Sequence, residues 1–218
     1  MTIQGAYMAA EQTKRNVILR SAKHLFAQNG YENTSVRQIV HTAKTSMGNL
    51  YFHFPNKHAI LKDICKEFVR ILRNQISDIH GKSLRPELGF ALDFRIGYIT
   101  TLENPKTSQF WIAARGIPEI HQFSLENKQI RLKTFFGDRI PDEELQYLAI
   151  AVQGIADGIF EEKRRGTVTD DSSILSNHII DYSLRLIGYA PEEIDRVISE
   201  VDLYVRKHKI TIDRFFDN

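Results

Sequence analysis

A single cysteine, Cys65, stands in a chain of 218 residues. No internal disulfide can form, and no cysteine cluster can hold a metal. Cys65 reads as a small apolar residue on a helix. No run of about 18 apolar residues occurs, so no membrane-spanning helix is expected. Residues 1–12 lack the basic-then-apolar order of a signal peptide, which points to the cytoplasm. There is no Gly-rich phosphate loop, no Gly-x-Ser-x-Gly and no His-Glu-x-x-His. His41, His53 and His58 lie close in sequence, but no carboxylate completes a catalytic pattern around them. The expectation is a protein that is not an enzyme, with no cofactor and no catalytic or metal site.

Net charge is also small, +2 over the whole chain. Its distribution is not even. Residues 1–60 hold seven Lys or Arg (Lys14, Arg15, Arg20, Lys23, Arg37, Lys44, Lys57) and two acids, a local +5. The remainder is therefore −3. A basic N-terminal part on a mildly acidic body fits a separate DNA-binding module.

Alternating strand patterns, repeats and low-complexity tracts are absent, and helical period fills most of the chain. In the first helix Ile18, Leu19, Ala22, Leu25 and Phe26 share a face, and Gly30 is a left-handed stop. Thr34 or Ser35 caps a second helix, and Ser35 with Gln38 has capping-box spacing. Ser46 caps a third, in which Leu50 and Phe54 point inward. Asn56 caps a fourth, about 57–80, with Ile60, Leu61, Ile64, Phe68 and Leu72 inside. That helix would be roughly 36 Å long. Prolines and glycines then punctuate a helical body. Helices are expected from Pro86 to about Asn104, up to Gly116, and from Pro118 to about Gly137. Pro141 suits the first turn of the next, which ends at Gly166. Two more cover about 172–187 and 191–209. The fold class is all-α. The expected division is an arm at 1–11, a helix-turn-helix domain at 12–56 and a helical effector-binding and dimerisation domain at 57–218.

The second and third helices have the form of a helix-turn-helix, whose second helix enters the major groove while the first braces it. Gly48 leaves room for close approach. Asn49 can pair with a base edge, adenine by preference. Thr45, Ser46, Tyr51, His53 and Lys57 can donate to phosphate oxygens. Arg37, early in the second helix, is placed for a backbone or groove contact.

Over residues 13–61 the sequence resembles the tetracycline-repressor (TetR) family of bacterial one-component regulators. The resemblance rests on Ile18-Leu19, Ala22, Leu25-Phe26, Gly30-Tyr31, Thr34, Ile39 and Ala43. It continues through the run Ser46-Met47-Gly48-Asn49-Leu50-Tyr51-Phe52-His53-Phe54, then Lys57 and Leu61. The resemblance implies that Met47 and Asn49 face bases and that Tyr51 and His53 bind phosphates. Ser46 and Thr45 would assist, and Lys57 would clamp the DNA backbone. The chain departs from the family at Lys44 and Thr45, where Gly and Val are usual. Lys44 would then have to take a left-handed turn.

The resemblance further implies a two-fold dimer, with recognition helices about 34–36 Å apart on a near-palindromic operator in double-stranded DNA. Residues 142–187 are the expected dimer face. It also implies a small-molecule effector site in the body, lined by Phe94, Tyr98 and Trp111 and anchored by Arg95, Arg115 or His121. The expected function is a ligand-responsive repressor released by a small, largely apolar inducer. The alternative is an architectural or interaction protein that binds DNA without an inducer.

Overall fold

The computed structural model describes residues 3–80 and 84–208; of residues 3–12, 75–80 and 106 it describes the backbone alone. Among the described residues there are ten helices and no strand. They are α1 (Ile3–Asn29), α2 (Val36–Thr42), α3 (Met47–His53), α4 (Lys57–His80) and α5 (Pro86–Glu103). Then come α6 (Pro105–Arg115), α7 (Pro118–Phe136), α8 (Asp142–Arg165), α9 (Ser172–Leu186) and α10 (Pro191–His208). The fold is all-α, with an N-terminal helix-turn-helix and a larger helical body.

Two boundaries differ from the sequence reading. The expected arm at 1–11 is helical from Ile3 onward, since α1 starts there. The physical reason is composition: Ala6, Met8, Ala9, Ala10, Glu11 and Gln12 are strong helix formers, and no proline interrupts them. Pro141 takes the cap position before α8 rather than its first turn. Acids Asp142, Glu143 and Glu144 then face the positive end of the helix dipole, and Gly166 closes α8 at φ 79°. Residue 209, the expected end of the last helix, lies outside the described residues.

The chain divides into two compact units, and the division falls within α4. The first holds the residues up to Val69 together with Pro105–His121. Here α1 packs on α2, α3 and α6, and α2 packs on α3. Ile18, Ala22, Phe26, Ile39, Leu50, Phe54, Ile60 and Leu61 form its core. The second unit holds Arg70–Asn104 and the residues from Gln122. Its centre is α5, which α9 and α10 cover, with α8 against α9. Phe90, Leu92, Phe94, Arg95, Ile96 and Tyr98 are all buried on α5. Burial on every side of a helix is what a central helix requires. It also forces charges on that helix to find partners inside the protein.

Candidate nucleic-acid interface

Short helices need their ends satisfied, because seven residues leave few internal hydrogen bonds. α2 opens on a full capping box: the Gln38 N–H donates to Ser35 Oγ, and the Ser35 N–H donates to Gln38 Oε1 at 2.7 Å. Ser35 is therefore the cap. Thr34 is buried and its hydroxyl instead donates to Gly30 O at 2.8 Å. The turn to α3 passes through Lys44 at φ 49°, the one non-glycine residue with positive φ among those described. Ser46 caps α3, accepting the Asn49 N–H at 3.1 Å. Leu50 and Phe54 anchor it in the core.

The opposite face of α3 is open. Met47, Tyr51 and Phe52 are exposed, and a Cβ built on Gly48 would meet nothing within 4 Å. Phe52 is 70% exposed, the highest value among the exposed large apolar side chains. The sequence reading passed over it, because phenylalanine in a helix usually reads as core. Its signal was position: it lies one turn beyond Gly48 and off the Leu50 and Phe54 face. Asn49 is half-buried, and its Nδ2 donates to Thr45 Oγ1 at 2.7 Å. Thr45 and Asn49 are thus joined before any DNA arrives. His53 is half-buried, its ring edge-on to Phe52 at 5.1 Å, and Arg37 is exposed on α2.

Lys57 is engaged within the protein itself. Its ammonium donates to Tyr31 O at 2.9 Å and to Thr34 O at 3.1 Å, and lies 4.0 Å from the centre of the Tyr31 ring. Burial lowers its pKa from the ordinary lysine value. The residue ties the start of α4 to the turn before α2. Charge elsewhere in the unit is also committed internally. Lys23, buried to 4% exposure, pairs with Glu67, and Arg15 pairs with Asp63 while lying 4.8 Å over the Phe54 ring. Two of the seven cations of residues 1–60, Arg15 and Lys23, are thus paired with acids on α4.

The six expected effector residues fall in both units. Phe94, Arg95 and Tyr98 follow one another along α5 in the second. Arg95 is 2% exposed, with Nη1 donating to Asp202 at 2.6 Å and Nη2 donating to Asn177. These bonds hold α9 and α10 to α5, so they occupy the groups that were to anchor a ligand. Tyr98 donates its hydroxyl to Ala156 O at 3.1 Å, and Phe94 lies 5.0 Å from the Phe90 ring. Trp111, Arg115 and His121 belong to the first unit. Trp111 sits edge-on to Phe68 at 5.4 Å, and its Nε1 is buried without a partner among the described residues. Arg115 is half-buried and His121 exposed.

A capped pair of short helices, one with an open face and a small residue at its centre, has the form of a helix-turn-helix. The family model for bacterial regulatory proteins of the tetR family matches residues 18–64. Over those residues the chain is similar to that family. Its members are regulators and not enzymes. They bind DNA, usually as dimers and with small-molecule ligands. The transcriptional regulator QacR of Staphylococcus aureus is 42% identical over 50 residues, 23% of this chain and 27% of that protein. The regulator YuxN of Bacillus subtilis is 28% identical over 118 residues, 54% of this chain and 40% of that protein. The chain thus spans less than half the length of these two relatives. The crystal structure of RolR in complex with resorcinol shares the fold, with a TM-score of 0.66 at 18% identity over 88% of this chain and 96% of that one. No helix among the described residues is long and apolar enough to cross a membrane.

Proposed function

We propose that the chain is a cytoplasmic, ligand-responsive repressor that binds a near-palindromic operator as a homodimer. The carrying observation is α3: capped by Ser46, anchored by Leu50 and Phe54, and open along Met47, Gly48, Tyr51 and Phe52. Asn49, Met47 and Phe52 meet base edges or thymine methyl groups, and Tyr51, His53, Ser46, Thr45 and Arg37 meet phosphates and sugars. Lys57 shapes the turn that presents them.

The dimer forms through about 142–187. Tyr147 and Ile150 on α8 and Ile174, Tyr182 and Leu186 on α9 are exposed large apolar residues on neighbouring helices. Gly154 and Gly158 continue the α8 face with open space around them. Such a stripe suits a four-helix bundle with a second copy. The effector binds in the helical body and favours a state in which α4 shifts and the two α3 helices no longer fit one face of DNA. A hundredfold preference for that state supplies about 2.7 kcal/mol.

The test is a salt titration of binding to DNA from just upstream of the gene, with the native mass of the protein measured alongside. A dimer bound to a near-palindrome with a steep salt dependence is expected. A monomer with no preferred site would overturn the reading.

A further inference from the structure

Within the second unit, α4, α5 and α7 bring Arg73, Asp93, Lys128 and Arg131 to act on one another. Asp93 on α5 accepts from Arg131 on α7 at a single oxygen, Oδ2, with Nε donating at 2.6 Å and Nη2 also in contact. Its other oxygen, Oδ1, is closed to solvent and has no partner among the described residues. Arg73 on α4 and Lys128 on α7 act on the same carboxylate. Asp93 therefore lies in the field of three cations. Arg73 is half-buried, and its Nη2 donates to the neutral Asn127 Oδ1. Burial and the neighbouring Arg131 both lower its pKa, while Asp93 raises it. Burial pushes the Asp93 carboxyl up, against the pull of the three cations.

Each half of this arrangement carries a cost. The half-buried Arg73 shares the Asp93 carboxylate with Arg131, which holds its bonded oxygen. A buried carboxylate oxygen without a donor loses its hydration for nothing. One group would relieve both: an anion near Arg73 that also carries a hydroxyl for Asp93 Oδ1. The flanking surfaces are aromatic. Lys128 Nζ lies 4.6 Å from the Phe94 ring centre, and the Arg131 guanidinium 4.1 Å from that of Phe135. Phe135 is pressed so closely on α5 that a Cβ on Gly89 would lie 2.7 Å from its ring. These rings favour a flat apolar ligand body over a sugar or a free phosphate.

We propose that Arg73, Asp93 and Arg131 form the polar end of an effector site for a small aromatic oxyanion bearing a further hydroxyl group. The hydroxyl donates to Asp93 Oδ1, and the oxyanion accepts from Arg73. The anion is supplied either by a carboxylate or by a phenolate, which offer the same chemistry. The assignment rests on the reading that the body responds to an effector. It replaces the largely apolar inducer of the sequence reading with a charged one.

The full chain is titrated calorimetrically with 3-hydroxybenzoate, catechol, benzoate and phenol. At least one of the first two is expected to bind tenfold or more tighter than the last two. Preference for 3-hydroxybenzoate identifies a carboxylate, and preference for catechol a phenolate. Arg73→Met should weaken that binding at least tenfold, with partial recovery in Arg73→Lys. Without ligand, Arg73→Met should unfold at the same denaturant concentration as the parent or a higher one. A lower midpoint would make Arg73 a structural partner of Asn127 and overturn the proposal. So would binding of none of the four compounds, or equal binding to parent and Arg73→Met. DNA titration with and without the bound compound separates the two readings. Binding that leaves DNA affinity unchanged keeps this site and removes the effector role. Release of DNA by a compound that binds Arg73→Met and parent alike keeps the effector role and removes this site.

Discussion

The short helices of the first unit and the central helix of the second depend on polar groups at opposite ranges. In the first, Ser35, Ser46 and Asn56 each bond a backbone N–H three residues ahead, at 3.3, 3.1 and 2.8 Å. In the second, Arg95 reaches Asp202 across 107 residues of sequence, and Arg131 reaches Asp93 across 38. The difference follows from helix length and burial. Helices of seven residues cannot hold their own ends, so local caps decide whether they form. A central helix buried on all sides needs no such help, but any charge it carries must be matched by a helix from elsewhere in the chain.

The largest effect belongs to the long-range pair. Asp202→Ala leaves the Arg95 guanidinium with Asn177 and no counter-ion among the described residues, at 2% exposure. Stripping one partner from such a pair costs about 3 kcal/mol. Urea unfolding followed by circular dichroism should show the loss, while DNA affinity per folded molecule stays the same. A change of less than about 1 kcal/mol would mean that water takes the place of Asp202.

Next is Lys57→Met. Its two bonds to backbone carbonyls are charge-assisted, and their loss costs about 2 kcal/mol. A lysine that clamped DNA would instead flatten the salt dependence of binding by about one unit in the logarithmic slope. The bonds to Tyr31 and Thr34 predict the stability loss with the slope unchanged. A flattened slope with full stability would restore the clamp.

These two residues mark what sequence could not disclose. Caps were legible because their spacing is fixed: Ser35 with Gln38, Ser46 with Asn49, Asn56 with Ala59. So were the stops, since Gly30 and Gly166 take φ 78° and 79° where the chain turns left-handed. Lys44 was legible as the departure from glycine that forces the same conformation on a lysine. Partners distant in sequence carry no such spacing. Arg15 and Lys23 read as surplus positive charge until α1 is laid against α4, where Asp63 and Glu67 meet them. Arg95 read as a free anchor because nothing near it in sequence hints at Asp202. Asp93 and Arg131 were silent for the same reason. On α3 the face toward the core was legible from Leu50 and Phe54, but the exposure of Phe52 was not, because residue type and position pointed in different directions.

Ser46→Ala tests the local side of the comparison. Removing a side-chain cap costs about 1 kcal/mol. Here the loss should fall on α3, seen as faster amide exchange over Met47–His53 with the second unit unaffected. Equal loosening of both units would mean that the cap is not local in effect. Lys44→Gly should act in the other direction. A non-glycine residue in the left-handed region carries about 1 kcal/mol of strain, part of which glycine returns as unfolded-state freedom. A net gain of about 0.5 kcal/mol is expected in thermal unfolding. A loss would show that the lysine side chain supports the turn.

Gly48→Ala has a similarly small effect on folding and separates folding from function most cleanly. In a helix, alanine is favoured over glycine by about 0.5 kcal/mol. No atom lies within 4 Å of the added Cβ, so nothing in the protein opposes the gain. The free chain should therefore become slightly more stable. DNA is another matter, because the methyl group enters the space through which α3 approaches the groove floor. Affinity for the operator should fall while stability rises, an opposite movement that no packing defect can imitate. If both rise together, the backbone at Gly48 does not approach the DNA, and α3 must read its site from the Tyr51 and Phe52 end instead.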